Sequence, residues 1–189
     1  MSTLPKPLIP QRADPYIHKH TDGYYYFTAS VPAYDGIELR RSKTLEGLAS
    51  AEPKMVWIKP DNGPYSELIW APEIHFNDGA WYVYFAAAPS REIKHDLFQH
   101  RMYAISCKDD NPLEGEWKFC GQIKTPWDTF CLDATTFYHI IACGVFLPGV
   151  QANAVGNAFT QVFGDGTMVS TTFGPCDHRY ARSGCAYQR

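Results

Sequence analysis

The sequence predicts an all-β fold, with a β-propeller favoured over a β-sandwich, from three observations. Aromatic residues make up 15% of the 189 residues, beside 14 glycines and 14 prolines, a composition typical of short strands and tight turns. Two Asp-Gly dipeptides separate β-rich runs, and their glycines, Gly23 and Gly79, lie 56 positions apart (79 − 23). Acidic residues recur at a similar interval. A period near sixty residues with about four short strands matches one propeller blade.

The first repeat is predicted to form one four-stranded blade. Asp22-Gly23 separates PYIHKH from YYYFTAS, and an Asp-Gly pair between such runs indicates a hairpin. Two further strand candidates follow, IELRRSKT (37–44) and MVWIK (55–59). Helix-period signals are weak along the whole chain, so these runs are assigned to strands.

The second repeat has the same order of signals. Asp78-Gly79 separates EIHF from AWYVYFAAA, which predicts a second hairpin. Strand candidates HRMYAISCK (100–108) and EWKFCGQI (116–123) complete the second blade. The chain therefore holds about two to three blades.

Three acidic residues, Asp14, Glu73 and Asp133, lie at intervals of 59 (73 − 14) and 60 (133 − 73) residues. The innermost strand of each propeller blade lines the central channel, so the three are predicted to lie on successive innermost strands. Asp14 and Asp133 would then both face the channel mouth. Alternatively, each is a solvated carboxylate that accepts a hydrogen bond in a turn. Recurrence in apolar settings favours a functional site, because a buried carboxylate without a partner is costly.

Four motifs follow in order over about residues 8–137: ADPYIHKHTDGYYYFTAS, IELRRSKTLEGL, WAPEIHFNDGAWYVYFAAA and LDATTF. Together they resemble glycoside hydrolase family 43. The greatest likeness is to its exo-acting α-L-arabinofuranosidases, with β-xylosidases as near relatives. The resemblance implies a five-bladed β-propeller and glycoside hydrolysis with inversion at the anomeric carbon.

The resemblance also implies roles for individual residues. Asp14, in the ADP motif, corresponds to the general base of the family. Asp133, in the LDATTF motif, corresponds to the residue that orients the general acid and raises the pKa of that acid. Trp70 and Glu73 are expected in the wall of the sugar pocket. An inverting enzyme needs space for a water molecule between base and acid, typically a separation of ~6.5–9.5 Å.

The implied substrate is a plant cell-wall oligosaccharide or polysaccharide with terminal α-L-arabinofuranosyl residues, as in arabinan or arabinoxylan. No cofactor and no metal ion are expected. The formal net charge of −3 provides no basic surface for nucleic acid, and no apolar run reaches membrane-spanning length. Neither nucleic acid nor a membrane is therefore predicted as a partner.

A cytoplasmic or non-classical location is predicted from the first fifteen residues, MSTLPKPLIPQRADP, which lack the apolar core of a signal peptide. The six cysteines form no CxxC pair and are expected to be free thiols in a chain without a secretion signal.

The chain departs from the family pattern after its fourth motif, LDATTF. The family's general acid is a glutamate on a later blade, whereas the last glutamate here is Glu116. Residues 138–189 contain neither lysine nor glutamate, which divides the chain into a propeller part (1–137) and an atypical tail (138–189). The tail is interpreted as an aberrant junction or a variant domain. The alternative function is therefore a catalytically inactive fragment or a sugar-binding relic, and no turnover by this chain alone is expected.

Overall fold

Antiparallel strands provide nearly all the regular structure in the computed structural model, which describes residues 6–124, 128–139, 142–146, 150–152, 158–163 and 168–172. A single turn of 3₁₀ helix, Glu46–Ala49, lies within these ranges. Among the described residues no helix has the length and hydropathy that crossing a bilayer requires. The strands are β1 (Ala13–Lys19), β2 (Tyr25–Ser30), β3 (Gly36–Ser42), β4 (Lys54–Ile58), β5 (Glu67–Asn77), β6 (Ala80–Ala88), β7 (Ile93–Lys94), β8 (Leu97–Phe98), β9 (Arg101–Cys107), β10 (Lys118–Gln122), β11 (Thr135–His139), β12 (Ala142–Phe146), β13 (Val150–Ala152), β14 (Ala158–Phe163) and β15 (Met168–Thr172).

The first blade is the sheet β1-β2-β3-β4, in which each strand pairs with the next along the chain. Its first hairpin has a three-residue loop, Thr21–Gly23, closed by a hydrogen bond from the His20 amide to the Tyr24 carbonyl (3.0 Å). Gly23 has φ 88°, the conformation that glycine adopts most readily. The Asp22 carboxylate accepts hydrogen bonds from the Tyr24 amide (2.9 Å) and the Tyr26 hydroxyl (2.6 Å). The predicted hairpin is therefore present.

The second blade has the spatial order β5-β6-β9-β10, with the short hairpin β7–β8 inserted between its second and third strands. Its first turn has two residues, since Asn77 pairs with Ala80. Asp78 (φ 49°) and Gly79 (φ 80°) both have positive φ, as a type I′ turn requires. This turn is one residue shorter than the corresponding loop of the first blade.

The core lies between the first two blades. Strand β6 is buried along almost its whole length, because its sequence AWYVYFAAA places apolar side chains on both faces. Trp81 is fully buried and packs against Tyr26, from the first blade, with a ring-centroid distance of 4.5 Å. Ile37 and Leu39 of β3 belong to the same apolar cluster. Burial of this shared surface fixes the two blades against each other.

Two smaller sheets follow, β11-β12 and β13-β14-β15. The all-β prediction and the blade of four short strands are confirmed. The proposed domain boundary at residue 137 stays a prediction, and most of residues 138–189 lie outside the described ranges.

The cysteines do not all behave as expected. Cys107 and Cys131 are free thiols, and burial raises the pKa of both. Cys120 takes part in a disulfide, so the expectation of free thiols is wrong at this position. The spacing of the cysteines does not predict this disulfide. Disulfides persist in oxidising compartments.

Candidate active site

The site is built on a backbone feature that recurs along the chain. Asp14 (φ 50°) in β1, Ala71 (φ 45°) in β5 and Asp133 (φ 55°), two residues before β11, all have the left-handed conformation. Left-handed geometry costs a non-glycine residue roughly 1–2 kcal/mol, and such strain is concentrated at functional sites. We call this left-handed position, at Asp14, Ala71 and Asp133, the strand-entry position.

The first two strand-entry positions lie in equivalent β-bulges. In each, the left-handed residue and a following proline, Pro15 or Pro72, stand opposite one residue of the partner strand. The bounding pairs are Ala13 with Ser30 and Tyr16 with Thr28 in the first blade, and Trp70 with Ala86 and Glu73 with Tyr84 in the second.

These pairs correct the alignment of the acidic residues. The structural equivalent of Asp14 in the second blade is Ala71, 57 positions later (71 − 14), and Glu73 occupies the position of Tyr16. Glu73 lies on the expected inner strand, but the equal spacing of the three acids is not the structural repeat. The sequence alignment matched residue types and did not account for the bulge and the shorter second turn.

Asp14 and Asp133 line one open cavity of about 300 Å³. Trp70 contributes to its wall, as does Ala71, whereas Glu73 is not among the lining residues. The cavity is bordered by Asp14, Tyr34, Trp70, Ala71, Leu132 and Asp133.

The electrostatics of the cavity are dominated by three carboxylates. Burial raises the pKa of Asp133 above its ordinary value, and the negative charges of Asp14 and then Glu73 raise it further. Each neighbouring charge disfavours ionisation of Asp133. Glu73 therefore acts on the cavity through its charge although it does not line it.

Ser30 connects the two blades at the site and was missed by the sequence reasoning. Its hydroxyl donates a hydrogen bond to Oδ2 of Asp14 (3.0 Å) and accepts one from the amide of Ala71 (2.8 Å). Ser30 is buried, so this one hydroxyl satisfies groups of both strand-entry positions. A serine at the end of a strand carries no sequence signal for such a role.

Glu73 is held by a chain of side chains behind the cavity. Nε2 of His75 lies 3.0 Å from Oε2 of Glu73, and Nδ1 of His75 lies 3.4 Å from the hydroxyl of Tyr16. Burial and the charge of Glu73 raise the pKa of Tyr16 to about 12, so the hydroxyl stays protonated and donates to His75. His75 then donates a hydrogen bond from Nε2 to Glu73. The Glu73 carboxylate is therefore held in place behind the cavity and does not line its wall.

No group of three or more His, Cys, Asp or Glu side chains is placed to hold a metal ion within the ranges that the structure describes.

We expect the pKa of Asp133 to fall in Asp14→Asn, and to fall less in Glu73→Gln, because Asp14 is the larger of the two charge effects. Since folding raises this pKa, protonated Asp133 favours the folded state at low pH. That contribution is lost as the pH rises through the folded-state pKa. Carboxyl carbon NMR titration of Asp133 measures both shifts, with the exposed Asp61→Asn as control. An unchanged pKa in Asp14→Asn would contradict the proximity of the two charges.

Known proteins are similar to this chain over the part that contains both the first two blades and the cavity. The model of the family Glycosyl hydrolases family 43 matches residues 4–140. An extracellular exo-α-(1→5)-L-arabinofuranosidase of Streptomyces avermitilis is 55% identical over 162 residues, which is 85% of this chain and 32% of the relative. The enzyme of the same name from Streptomyces chartreusis is 50% identical over 133 residues, which is 70% of this chain and 39% of the relative.

A solved structure shows the same similarity. The crystal structure of an α-L-arabinofuranosidase from Lactobacillus brevis superposes with a TM-score of 0.74 at 48% identity, covering 87% of this chain and 54% of that chain. This chain thus spans about a third of the two curated relatives and about half of the solved one.

The predicted cytoplasmic location is wrong, since both Streptomyces relatives are named extracellular enzymes. The prediction was drawn from the first fifteen residues. In a chain that spans 32% and 39% of these relatives, that stretch is no test of where a protein is located.

Proposed function

The chain belongs to Glycosyl hydrolases family 43, and on this premise we propose that it serves to hydrolyse terminal α-L-arabinofuranosyl residues with inversion at the anomeric carbon. The substrate class is a plant cell-wall polysaccharide of the arabinan or arabinoxylan type. The observation that carries the proposal is the shared cavity of Asp14 and Asp133, with Trp70 in its wall.

Asp14 is assigned as the general base. Ser30 donates to its Oδ2, and Oδ1 has no hydrogen-bond partner among the described residues. The side chain is exposed to the cavity solvent. One oxygen is therefore fixed in direction while the other is available to take a proton from the attacking water, which must stand within hydrogen-bond reach.

Asp133 is assigned as the residue that orients the general acid and raises its pKa. A carboxylate disfavours ionisation of a second carboxyl group nearby, which keeps that group protonated near neutral pH. The same repulsion acts on Asp133 from Asp14 and Glu73. The base and the acid-orienting residue share the left-handed conformation, Asp14 in β1 and Asp133 two residues before β11.

Trp70 and Ala71 are assigned to the sugar site. The indole of Trp70 packs on the ring of His100 at 4.1 Å and edge-on to Tyr34 at 5.9 Å, which limits its movement. Ala71 presents only a methyl group where Asp14 and Asp133 present carboxylates, which leaves room for a sugar ring. Glu73 supports the site from behind, through its charge on Asp133.

A second candidate is a sugar-binding protein without turnover. It is favoured by one observation: the last glutamate of the chain, Glu116, precedes Asp133, so no later glutamate is present to protonate the leaving oxygen. General acid catalysis is typically worth ~10²–10⁴-fold in rate. The two candidates share the cavity and differ in whether bonds are broken there.

An assay on 4-nitrophenyl α-L-arabinofuranoside tests the proposal in this chain extended with the later blades of a full-length relative, since the chain alone has no glutamate after Glu116 to serve as general acid. 4-Nitrophenyl β-D-xyloside is the matched control for the sugar. We expect preferred release from the arabinofuranoside, and NMR should detect β-L-arabinofuranose as the first product. Equal rates or a preference for the xyloside would contradict the arabinose assignment.

Binding of L-arabinono-1,4-lactone, followed by NMR of the Trp70 and Asp133 signals, separates the two candidates. Binding without turnover would favour the sugar-binding protein. Absence of both binding and turnover would contradict both candidates.

A further inference from the structure

His100 is a buried histidine next to the candidate active site that the assigned chemistry does not use. It immediately precedes strand β9 and has no exposed surface. Its imidazole stacks on the indole of Trp70, with centroids 4.1 Å apart and planes inclined by 25°. Phe98 and Phe130 meet the imidazole edge-on, at 5.9 Å and 6.0 Å. The ring is thus enclosed by aromatic side chains on the side of the cavity wall.

His100 contacts two of the segments that line the cavity. Its Nε2 lies 3.0 Å from the carbonyl oxygen of Leu68, in β5. Its ring meets Phe130, three residues before Asp133, and its main-chain carbonyl oxygen accepts a hydrogen bond from the amide of Cys131 (3.2 Å). The side chain therefore contacts both the strand that carries Trp70 and the segment that carries Asp133.

The tautomer of His100 follows from these contacts. A carbonyl oxygen only accepts, so Nε2 must carry the proton. Burial lowers the pKa of His100, which keeps the imidazole neutral. Nδ1 has no hydrogen-bond partner among the described residues and is therefore a bare acceptor.

We propose that His100 is a positioning residue, which holds the Trp70 indole in the cavity wall and fixes the Asp133 segment relative to β5. The inference rests on the proposed function only in treating this cavity as the sugar site.

Neighbouring contacts support a role beyond filling space. Leu68 has φ 54° and lies in a second irregularity of β5, between Glu67 and Trp70, where the regular ladder is interrupted. The imidazole thus satisfies a carbonyl at a break in the sheet, two residues from Trp70. Arg101, which follows His100 in the sequence, donates hydrogen bonds to the side chain and the carbonyl of Asp128. These bonds hold the start of the segment that leads to Asp133.

Two substitutions separate the roles of the ring and of its hydrogen bond. His100→Gln keeps a donor near the position of Nε2 but removes the stacking ring, whereas His100→Phe keeps a ring and removes the donor. Ile105→Val, in the following strand β9 and in the apolar cluster of Trp81 rather than that of Trp70, is the control for a general loss of core packing.

NMR of the labelled chain provides readouts that need no substrate. The chain has five tryptophans, and the indole signal of Trp70 is assigned by its loss in Trp70→Phe. We expect His100→Gln to shift this signal and the Asp133 carboxyl signal well beyond the shifts in Ile105→Val, and His100→Phe to shift the indole less than His100→Gln. Shifts in His100→Gln no larger than those in Ile105→Val would overturn the proposal.

The wild-type chain decides the question even if His100→Gln does not fold. Long-range proton–nitrogen spectra are expected to show a neutral His100 with the proton on Nε2 at neutral pH. A ring protonated on both nitrogens, or on Nδ1 alone, would overturn the proposal.

Affinity for L-arabinono-1,4-lactone then connects position with function. We expect His100→Gln to weaken binding about tenfold and Ile105→Val to leave it unchanged, as expected when stacking on one aromatic ring is lost. If the wild-type chain does not bind the lactone, the proposed function fails, while the NMR shifts still judge the positioning role by themselves.

Discussion

In the chain extended with the later blades of a full-length relative, replacing Asp14 with asparagine is expected to lower turnover of an aryl α-L-arabinofuranoside by roughly 10²–10⁴-fold, the usual contribution of a general base. Asparagine has the same shape and still accepts the hydrogen bond that Ser30 donates to Oδ2. Only the capacity to take a proton from water is removed. The fold and the binding of L-arabinono-1,4-lactone should therefore be retained. Initial rates at saturating substrate measure the effect.

Asp133→Asn distinguishes the base from the residue that tunes the acid. In the chain extended with the later blades of a full-length relative, where a later glutamate supplies the general acid, we expect it to lower turnover as well. We also expect the alkaline limb of the pH–rate profile to move to lower pH, because a carboxylate no longer raises the pKa of the general acid. Asp61→Asn, at an exposed position, should leave both rate and profile unchanged. Activity of Asp14→Asn within threefold of the wild type would refute the assignment of the base.

Trp81→Ala is expected to destabilise the folded chain by about 3–5 kcal/mol, the usual range for a buried tryptophan. Trp81 has no exposed surface, and its indole contacts His20, Tyr26 and Phe76 at centroid distances of 4.6, 4.5 and 5.0 Å. His20 and Tyr26 belong to the first blade and Phe76 to the second. The alanine variant leaves a cavity at the contact that joins them.

Trp81→Phe should cost far less, because a ring remains and Nε1 has no hydrogen-bond partner among the described residues. Trp117→Ala, at a half-buried position where the indole donates to the Pro112 carbonyl of the same blade, is the control for loss of an indole as such. Urea denaturation gives the free energies of unfolding. A cost for Trp81→Ala no greater than for Trp117→Ala would show that the blades are not joined at this point.

The elements that the sequence predicted best are those with local chemistry. The Asp-Gly pairs at residues 22–23 and 78–79 form turns because positive φ is readily adopted there, and the flanking β-rich runs have no other way to satisfy their backbone groups. The four-strand blade follows from these turns and from run lengths. Convergence of Asp14 and Asp133 on one cavity was predicted from the blade period, although the period was measured from the wrong residue in the second blade.

What the sequence could not predict depends on register and on contacts between blades. Glu73 was aligned with Asp14 because both are acidic, whereas the bulge places Ala71 there and turns Glu73 toward His75. Ser30 and His100 act through hydrogen bonds to groups distant along the chain. For Ser30, one of these groups is the amide of Ala71, 41 residues away. No periodicity of the sequence reports such a contact.

The left-handed bulge has a consequence for how this scaffold changes over time. The same left-handed conformation presents an acid in β1 and just before β11, and a methyl group in β5. The pattern of charge around the cavity is therefore decoupled from the backbone that displays it, and an acid can be gained or lost at a strand-entry position by a single codon change. Mutation at these positions can therefore move an acidic side chain from one blade to another while the backbone of the propeller stays the same.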